Sequence, residues 1–264
     1  MKACTERGWL GWAGVALAWL GFAGAAHADD ELESQRIVGI GIQRMPAWPG
    51  SDNQRNEPVP FILAELPCHI TISTLDGLTV DFIHADGWHG GIYGNYQWGR
   101  DRSELGSELE GTIPSFSPRI SAGGYVEYEF ADKFEVGSDL SHDTQGAGAY
   151  LRVYGSYELP SIGYWMHEVE LQWQAMNGPA MRRYFGVTPA QAMQLGVDSW
   201  QPTGGTQQME LEYSAFMPTS LHTGFAFMLN YARLLGQSSG SPLVHRYGSS
   251  NQFTGTLAFV YRFL

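Results

Sequence analysis

Apolar and polar residues alternate along much of the chain with a period of two, which places them on opposite faces of a β-strand. In residues 164–175, Trp165 and Leu171 fall on one face, whereas Glu168 and Glu170 fall on the other. A helix would mix these two sets. The pattern therefore predicts an all-β protein whose strands each carry one apolar and one polar face. The same alternation recurs in segments 119–130, 149–159, 208–213, 222–231 and 256–263.

We expect about twelve strands, with ten as the alternative count. The two counts differ at residues 66–84, because Leu75-Asp76-Gly77 fits either a hairpin turn or a bulge within one long strand. An even number is favoured because both ends of a bacterial barrel lie on the same side of the membrane. The expected strands are 36–44, 57–66, 68–74, 78–83, 89–98, 118–130, 133–142, 147–158, 163–175, 206–217, 221–234 and 252–263.

The connections between the expected strands differ in length. Short turns are expected at 131–133, 160–163 and 218–220, and the long stretches 99–117, 176–205 and 235–250 are rich in Gly, Pro and Ser. Short turns on one side and long loops on the other are typical of outer-membrane barrels, with the turns in the periplasm. The fold predicted is thus a transmembrane antiparallel up-and-down β-barrel. Within the second loop, Thr188, Pro189 and Gly196 predict the cap, first residue and stop of a short helix.

Alternation alone does not separate a barrel from a soluble β-sandwich, and the N-terminal residues bear on that choice. Lys2 and Arg7 precede an apolar run, 8–25, which ends at Ala26-His27-Ala28, an A-x-A cleavage pattern. The run is short for a membrane anchor, which is the alternative interpretation. We therefore expect residues 1–28 to be a cleaved secretory signal peptide, and residues 29–264 to form one barrel domain.

Composition favours the barrel over a soluble enzyme. Charged residues make up 16% of the chain, below the share of about 25% in soluble domains, while Gly (33 residues) and aromatics (13%) are abundant. The net charge of −12 argues against nucleic acid as a partner. Cys68 is the one cysteine after the signal, so no internal disulfide is expected. We expect a half-buried Cys68 used as a small apolar residue, with a free or intermolecularly paired thiol as the alternative.

The sequence gives little support for a catalytic site. Ser141-His142-Asp143 contains the three residue types of a hydrolase triad, but neighbours on one strand point to opposite faces and do not converge. The histidines lack metal-site spacing, and there is no phosphate-binding loop. We therefore expect a protein that is not an enzyme and has no cofactor or metal site.

The inward faces of the expected strands are strongly acidic. This predicts a lumen that favours cations if it conducts, and the alternative is an interior plugged by a hydrogen-bonded network. The basic residues expected there are Arg119, Arg152 and Arg262. The acidic residues expected there are Asp81, Glu127, Glu129, Glu135, Asp139, Glu158, Glu168, Glu170, Glu210 and Glu212.

Several segments resemble the MipA/OmpV family of outer-membrane proteins, and together they cover nearly the whole chain after the signal. The most specific are the loop YFGVTPAQA (184–192) and the pair SPLV (241–244) and GSSNQF (248–253). Weaker matches are WPGSD followed by PVP (48–60), YQWGR (96–100) and the terminal YRF (261–263).

The resemblance implies a structural role. The namesake of the family is a scaffold that links a lytic murein transglycosylase to a murein synthase at the outer membrane, and other members are described as porin-like. No catalytic residues carry over. The last strand, with Phe259, Tyr261 and Phe263, resembles the signal read by the barrel-assembly machinery, although Leu264 follows the final aromatic residue here. The expected partners are thus outer-membrane lipid, that machinery and the two murein enzymes, and a small cation-preferring channel is the alternative function.

Overall fold

The computed structural model describes residues 36–74, 77–131 and 133–263. In these residues twelve antiparallel strands form one closed barrel, in which each strand pairs with its sequence neighbours and β1 pairs with β12. The predicted fold and the count of twelve are confirmed. The expected signal peptide lies outside the described residues. The strands are β1 (Arg36–Pro46), β2 (Gln54–Leu66), β3 (Ile70–Ser73), β4 (Gly77–Ala85), β5 (Trp88–Gln97), β6 (Arg119–Phe130), β7 (Phe134–Asp143), β8 (Ala149–Ile162), β9 (Trp165–Met176), β10 (Gly205–Pro218), β11 (Thr223–Leu234) and β12 (Asn251–Phe263).

The outer face of the barrel is apolar. Ile40, Ile120, Leu140, Leu171 and Phe253 are all exposed, and each alternates with a less exposed residue on the inner face. A soluble β-sandwich would bury such side chains between two sheets, whereas a single closed sheet presents them outward. An outward apolar band is what the hydrocarbon core of a bilayer requires. The β-sandwich alternative is therefore wrong.

Two local predictions need correction. The expected turn at 160–163 is wrong, because β8 continues to Ile162 across a register shift and the chain reverses at Gly163 (φ 64°). Cys68 is not half-buried: it is exposed in the turn before β3, with a φ of 70°. The turn at 67–69 thus shortens the third strand to Ile70–Ser73.

The hairpin of β3 and β4 is short and leaves part of β2 without a strand on one side. β3 pairs with residues 63–66 of β2, whereas β1 pairs with β2 as far as Gln54. The Ile62 backbone N–H points to the β3 side, where it donates to Thr74 Oγ1 at 2.9 Å. The backbone nitrogens of Pro58 and Pro60 face the same side as that of Ile62, because the direction of the backbone nitrogen alternates from one residue of a strand to the next. Their missing N–H groups therefore fall on the open edge of β2, where proline is tolerated.

The long connections carry short helices at one end of the barrel, which we call the loop end. None of the helices in the described part of the chain is long and apolar enough to cross a bilayer. The predicted helix after Thr188 is confirmed: the Thr188 side chain accepts from Gln191 N, and Gly196 ends the helix with a φ of 64°. The helices are α1 (Gly106–Leu109), α2 (Gly178–Phe185), α3 (Pro189–Leu195), α4 (Gly236–Ser239) and α5 (Pro242–Tyr247).

Close contact between β6 and β7 depends on Gly123. A Cβ at this position would lie 1.9 Å from the backbone oxygen of Leu140, which is rigid backbone. We expect Gly123→Ala to lower the free energy of unfolding by about 1–3 kcal/mol, because the strands must separate. Urea unfolding of the refolded barrel measures this loss. Gly111→Ala is the control, since a Cβ there meets nothing within 4 Å, and equal stability of the two variants would contradict the prediction.

Candidate functional site

The inner face of β6–β9 is crowded with carboxylates. We call six of them, one or two from each strand, the acidic wall. They are buried or half-buried, and two pairs lie directly opposite one another on neighbouring strands, Glu129 with Glu135 and Glu158 with Glu168. Like charges at directly opposed positions repel, so the wall is electrostatically strained unless protons or cations offset the charge. The acidic wall comprises Glu127, Glu129, Glu135, Glu158, Glu168 and Glu170.

Asp139 and Arg152 form an ion pair beside the acidic wall. Arg152 Nε lies 2.5 Å from Asp139 Oδ2, and the Tyr93 hydroxyl donates to Asp139 Oδ1 at 2.8 Å. The Arg152 side chain nevertheless keeps 36% of its surface exposed inside the closed barrel, so the wall borders open space there. The Tyr154 hydroxyl donates to Glu127 Oε1 next to this pair.

A second set of polar contacts crosses β9, β10 and β11. Asn230 Nδ2 donates to Glu210 Oε1 at 2.8 Å and to Glu212 Oε2 at 2.5 Å. The side-chain amides of Gln174 and Gln208 also donate to Glu210 Oε2. These two carboxylates therefore belong to an amide network, unlike Asp139, which lies against a guanidinium.

At the loop end, Asp143 ties the barrel to helix α2. Its side chain has no exposed surface, and Arg183 Nη1 lies 2.6 Å from Asp143 Oδ2. Arg119 Nη1 lies 3.4 Å from the same oxygen, and the Tyr150 hydroxyl donates to Asp143 Oδ1 at 3.0 Å. Arg119 is thus placed at the rim, away from the acidic wall. We call the contact between Asp143 and Arg183 the rim latch.

The loops at this end pack into a cap over the barrel. Two buried apolar clusters hold it together, one around Trp48, Leu109 and Val187 and the other around Met181 and Phe185. Their full burial shows that the loops are ordered by the same hydrophobic effect that forms a protein core.

Arg100 joins two loops of the cap. It is 2% exposed, and its guanidinium donates to the backbone oxygens of Tyr184 and Pro114, both at 3.2 Å. Burial lowers the pKa of Arg100 to about 10, so the side chain stays charged at neutral pH. Its cation also lies 5.0 Å from the ring centre of Phe116. Burial raises the pKa of the neighbouring Tyr184 hydroxyl, because it disfavours the charged form of that group as well.

Opposite the acidic wall, the inner face is apolar. Ile37, Phe61, Leu63, Phe216 and Val260 form a buried cluster from β1, β2, β10 and β12. The sequence pattern did not reveal this cluster because β1 and β2 carry apolar residues on both faces. The interior therefore has one acidic side and one apolar side, instead of being acidic throughout.

Asp81 lies in a group of histidines at the end of the barrel with short turns. Asp81 Oδ2 is 3.3 Å from His84 Nε2 and 3.5 Å from His89 Nδ1, while the ring of His69 lies 4.3 Å from that of His84. The register shift after Asp81 brings these residues together, and the sequence carried no sign of it. No group of three or more His, Cys, Asp or Glu side chains in the described residues is arranged to hold a metal ion.

The remaining candidate residues lie apart from one another. Ser141 and Asp143 are buried on the inner face, while His142 is exposed on the outer face and its Nδ1 contacts the backbone oxygen of Asp143. Arg262 is half-buried near the turn end, where its backbone N–H donates to His222 O. The aromatic residues of the terminal strand are exposed on the outer face: Phe259, Tyr261 and Phe263.

The family described as MltA-interacting protein MipA matches residues 38–263, nearly all of the described barrel. The chain belongs to this family. The resemblance seen in the sequence is thereby confirmed, and the closed barrel of a MipA-family protein places it in the outer membrane. No curated protein matches the chain.

Several solved outer-membrane proteins are similar to this MipA-family chain at low sequence identity. A bacterial polysaccharide outer membrane secretin is 10% identical, with 89% of this chain and 100% of that chain covered and a TM-score of 0.41. The COG4313 outer membrane channel from Pseudomonas putida F1 is 8% identical, with 89% and 100% covered and a TM-score of 0.40. OprG from Pseudomonas aeruginosa is 12% identical, with 87% and 96% covered and a TM-score of 0.29.

Proposed function

We propose that this MipA-family barrel is a structural protein that holds a murein transglycosylase and a murein synthase at the outer membrane. The family description names an interaction with MltA, and the chain matches that family over residues 38–263. A scaffold needs a stable body and a partner surface, with no catalytic site. We further propose that residues 1–28 direct export and are removed, and that the aromatic terminal strand is read by the barrel-assembly machinery.

The observation that carries this proposal is an exposed apolar patch at the turn end. Tyr164 is 83% exposed in the turn between β8 and β9, and Leu221 is 75% exposed in the turn between β10 and β11. Since β9 and β10 are neighbours, these two turns lie side by side. The short turns of such barrels face the periplasm, where the murein enzymes work. We call Tyr164 and Leu221 the turn patch.

The double substitution Tyr164→Ser and Leu221→Ser should reduce capture of both murein enzymes by the immobilised barrel at least tenfold. The physical reason is that a few side chains, often aromatic ones such as tyrosine, supply most of the binding energy of a protein interface, and burial of Leu221 would add apolar contact area. Pull-down with the purified transglycosylase and synthase measures the retained fraction.

Met193→Ser is the matched control for the turn patch. Met193 is as exposed as these residues, at 81%, but it lies on helix α3 at the loop end. Capture should be unchanged in this control. If the unmodified barrel retains neither enzyme, the scaffold role is wrong for this protein. Equal loss of capture in the control would exclude the turn patch as the docking surface.

A cation-preferring channel is the second candidate, and the acidic wall favours it. Carboxylates along one side of a lumen attract cations and repel anions. The open space beside Arg152 gives a partial path, and the cap of packed loops covers the loop end. Conductance of the refolded protein in a planar bilayer tests this function. Discrete cation-selective steps would support it, whereas anion-selective steps or a silent folded barrel would exclude it.

A further inference from the structure

The barrel wall has a gap on the loop side of the short hairpin of β3 and β4. In the described residues this hairpin pairs with neither residues 54–61 of β2 nor residues 95–97 of β5, and β2 and β5 are not neighbours in the sheet. Arg55 bridges the top of the space, because its guanidinium is ion-paired with Glu104 and lies 5.5 Å from the ring centre of Trp98. We call the space between the hairpin and this bridge the wall gap.

The wall gap lies at the level of the apolar band that faces the lipid. Pro60 is directly opposite Ile40 on β1, and Pro58 is opposite Ile42. These two isoleucines are 69% and 55% exposed on the outer face, where the side chains of such barrels contact hydrocarbon. Since the long loops of these barrels lie outside the cell, the gap opens toward the outer leaflet.

Along the middle of the wall gap, both edges lack free N–H groups. On β2, Pro58 and Pro60 have no N–H, and the Ile62 N–H is taken by the threonine that follows β3. On β5, the Tyr96 N–H donates at 2.6 Å to the side chain of Asn95. The carbonyl oxygens of the two prolines face the gap, where no described strand lies to donate to them. This part of the edge therefore presents hydrogen-bond acceptors and no free donors.

The chemistry of this edge restricts what can occupy the wall gap. An added β-strand would bring carbonyl groups that find no N–H donor between residues 58 and 62 of β2, so strand addition is disfavoured. A plain alkyl chain would leave the two proline carbonyls without a partner in hydrocarbon, which is costly. A hydroxyl group on an apolar chain avoids both problems, because it donates to a carbonyl while its chain stays in the lipid. Two absent strands leave a width of about 10 Å, which suits one chain better than a lipid with several chains.

We propose that the wall gap binds a single-chain alcohol dissolved in the outer leaflet. The hydroxyl group donates to the carbonyl oxygen of Pro58 or Pro60, and the chain lies on the outer face beside the exposed Ile62. The wall gap is separate from the turn patch and from the acidic wall. Failure of this binding would therefore leave the scaffold role and ion conduction as they stand.

The test uses the full barrel refolded in phosphatidylcholine vesicles, with 3-azioctanol, an octanol that carries a photoreactive diazirine, as the probe. Illumination and peptide mass mapping should place most of the label between residues 54 and 64, and excess 1-octanol should compete for this labelling. Pro60→Trp fills the gap with a large ring and should reduce the labelling about tenfold. Leu171→Trp is the matched control: it adds the same ring to the outer face of β9, where Leu171 is 51% exposed, and should leave the labelling unchanged.

A second measurement uses the unmodified protein, so it tests the site even if Pro60→Trp does not fold. The corresponding diazirine of octane lacks the hydroxyl group and should label residues 54–64 about fivefold less, because it cannot donate to the proline carbonyls. Uniform labelling of the outer face, equal labelling by the two probes, or unchanged labelling of a folded Pro60→Trp barrel would each overturn the proposal. A phospholipid that stays bound there in excess 1-octanol would overturn it as well, because the occupant would then be a membrane lipid.

Discussion

An Arg100→Ala barrel should lose the order of its cap and be cut in the loops 98–118 and 177–204 about 100-fold faster than the wild type. The guanidinium bridges these loops through the backbone oxygens of Tyr184 and Pro114. A hydrogen bond from a charged donor contributes about 1.5–3 kcal/mol, so the loss of both, taken at the lower value, corresponds to about two orders of magnitude in the opening equilibrium. Limited proteolysis with chymotrypsin, followed by mass mapping, measures the rate.

Arg102→Ala provides the control for this experiment. Arg102 lies two residues further along the same loop and is exposed, so its removal should leave the cleavage rate unchanged. Cleavage reports the population of open loops as long as the loops close faster than the protease cuts. Wild-type cleavage rates in Arg100→Ala would mean that the apolar clusters alone hold the cap.

Asp143→Ala should destabilise the barrel by about 3–5 kcal/mol, which is the usual cost of leaving one member of a buried ion pair without its partner. The Asp143 carboxylate has no exposed surface and contacts Arg183 at 2.6 Å. The substitution leaves the Arg183 guanidinium, in the last turn of helix α2, without its carboxylate partner. Urea unfolding of the barrel refolded in lipid vesicles gives the free energy of unfolding.

A double-mutant cycle separates the rim latch from other effects of the substitution. Asp143→Ala combined with Arg183→Ala should cost clearly less than the sum of the single changes, because the second substitution removes the stranded charge. Asp198→Ala, an exposed loop aspartate, should change stability by less than about 0.5 kcal/mol. Strict additivity of the two single changes would show that Asp143 and Arg183 are not coupled.

The strands were predictable because each carries its information locally. In β6 and β9 the outer residues are mainly apolar and the inner residues mainly polar, so the period of two predicts both the strand and the direction of each face. The helix at Pro189–Leu195 was equally local, since its cap and its stop are single residues with known preferences.

Contacts between distant segments could not be predicted in this way. Arg100 lies 84 residues from Tyr184 in the chain, and the two meet only because the barrel brings their loops to the same end. The histidines around Asp81 come together because the register of β4 against β5 shifts after Asp81, and no residue in the sequence predicts that shift. The apolar inner cluster was missed because β1 and β2 are apolar on both faces, which removes the contrast on which the face assignment depends.

The short hairpin of β3 and β4 has a consequence for the surrounding lipid. Four residues of β3 rise about 13 Å at about 3.3 Å per residue, well short of the apolar band of about 25 Å that such barrels present elsewhere. We expect the lipid chains beside Ile72 of β3 to shorten or tilt, whereas the next strand, β4, has nine residues. Hydrophobic mismatch is expected in this one sector, so we expect the membrane to be thinner beside β3 than around the rest of the barrel.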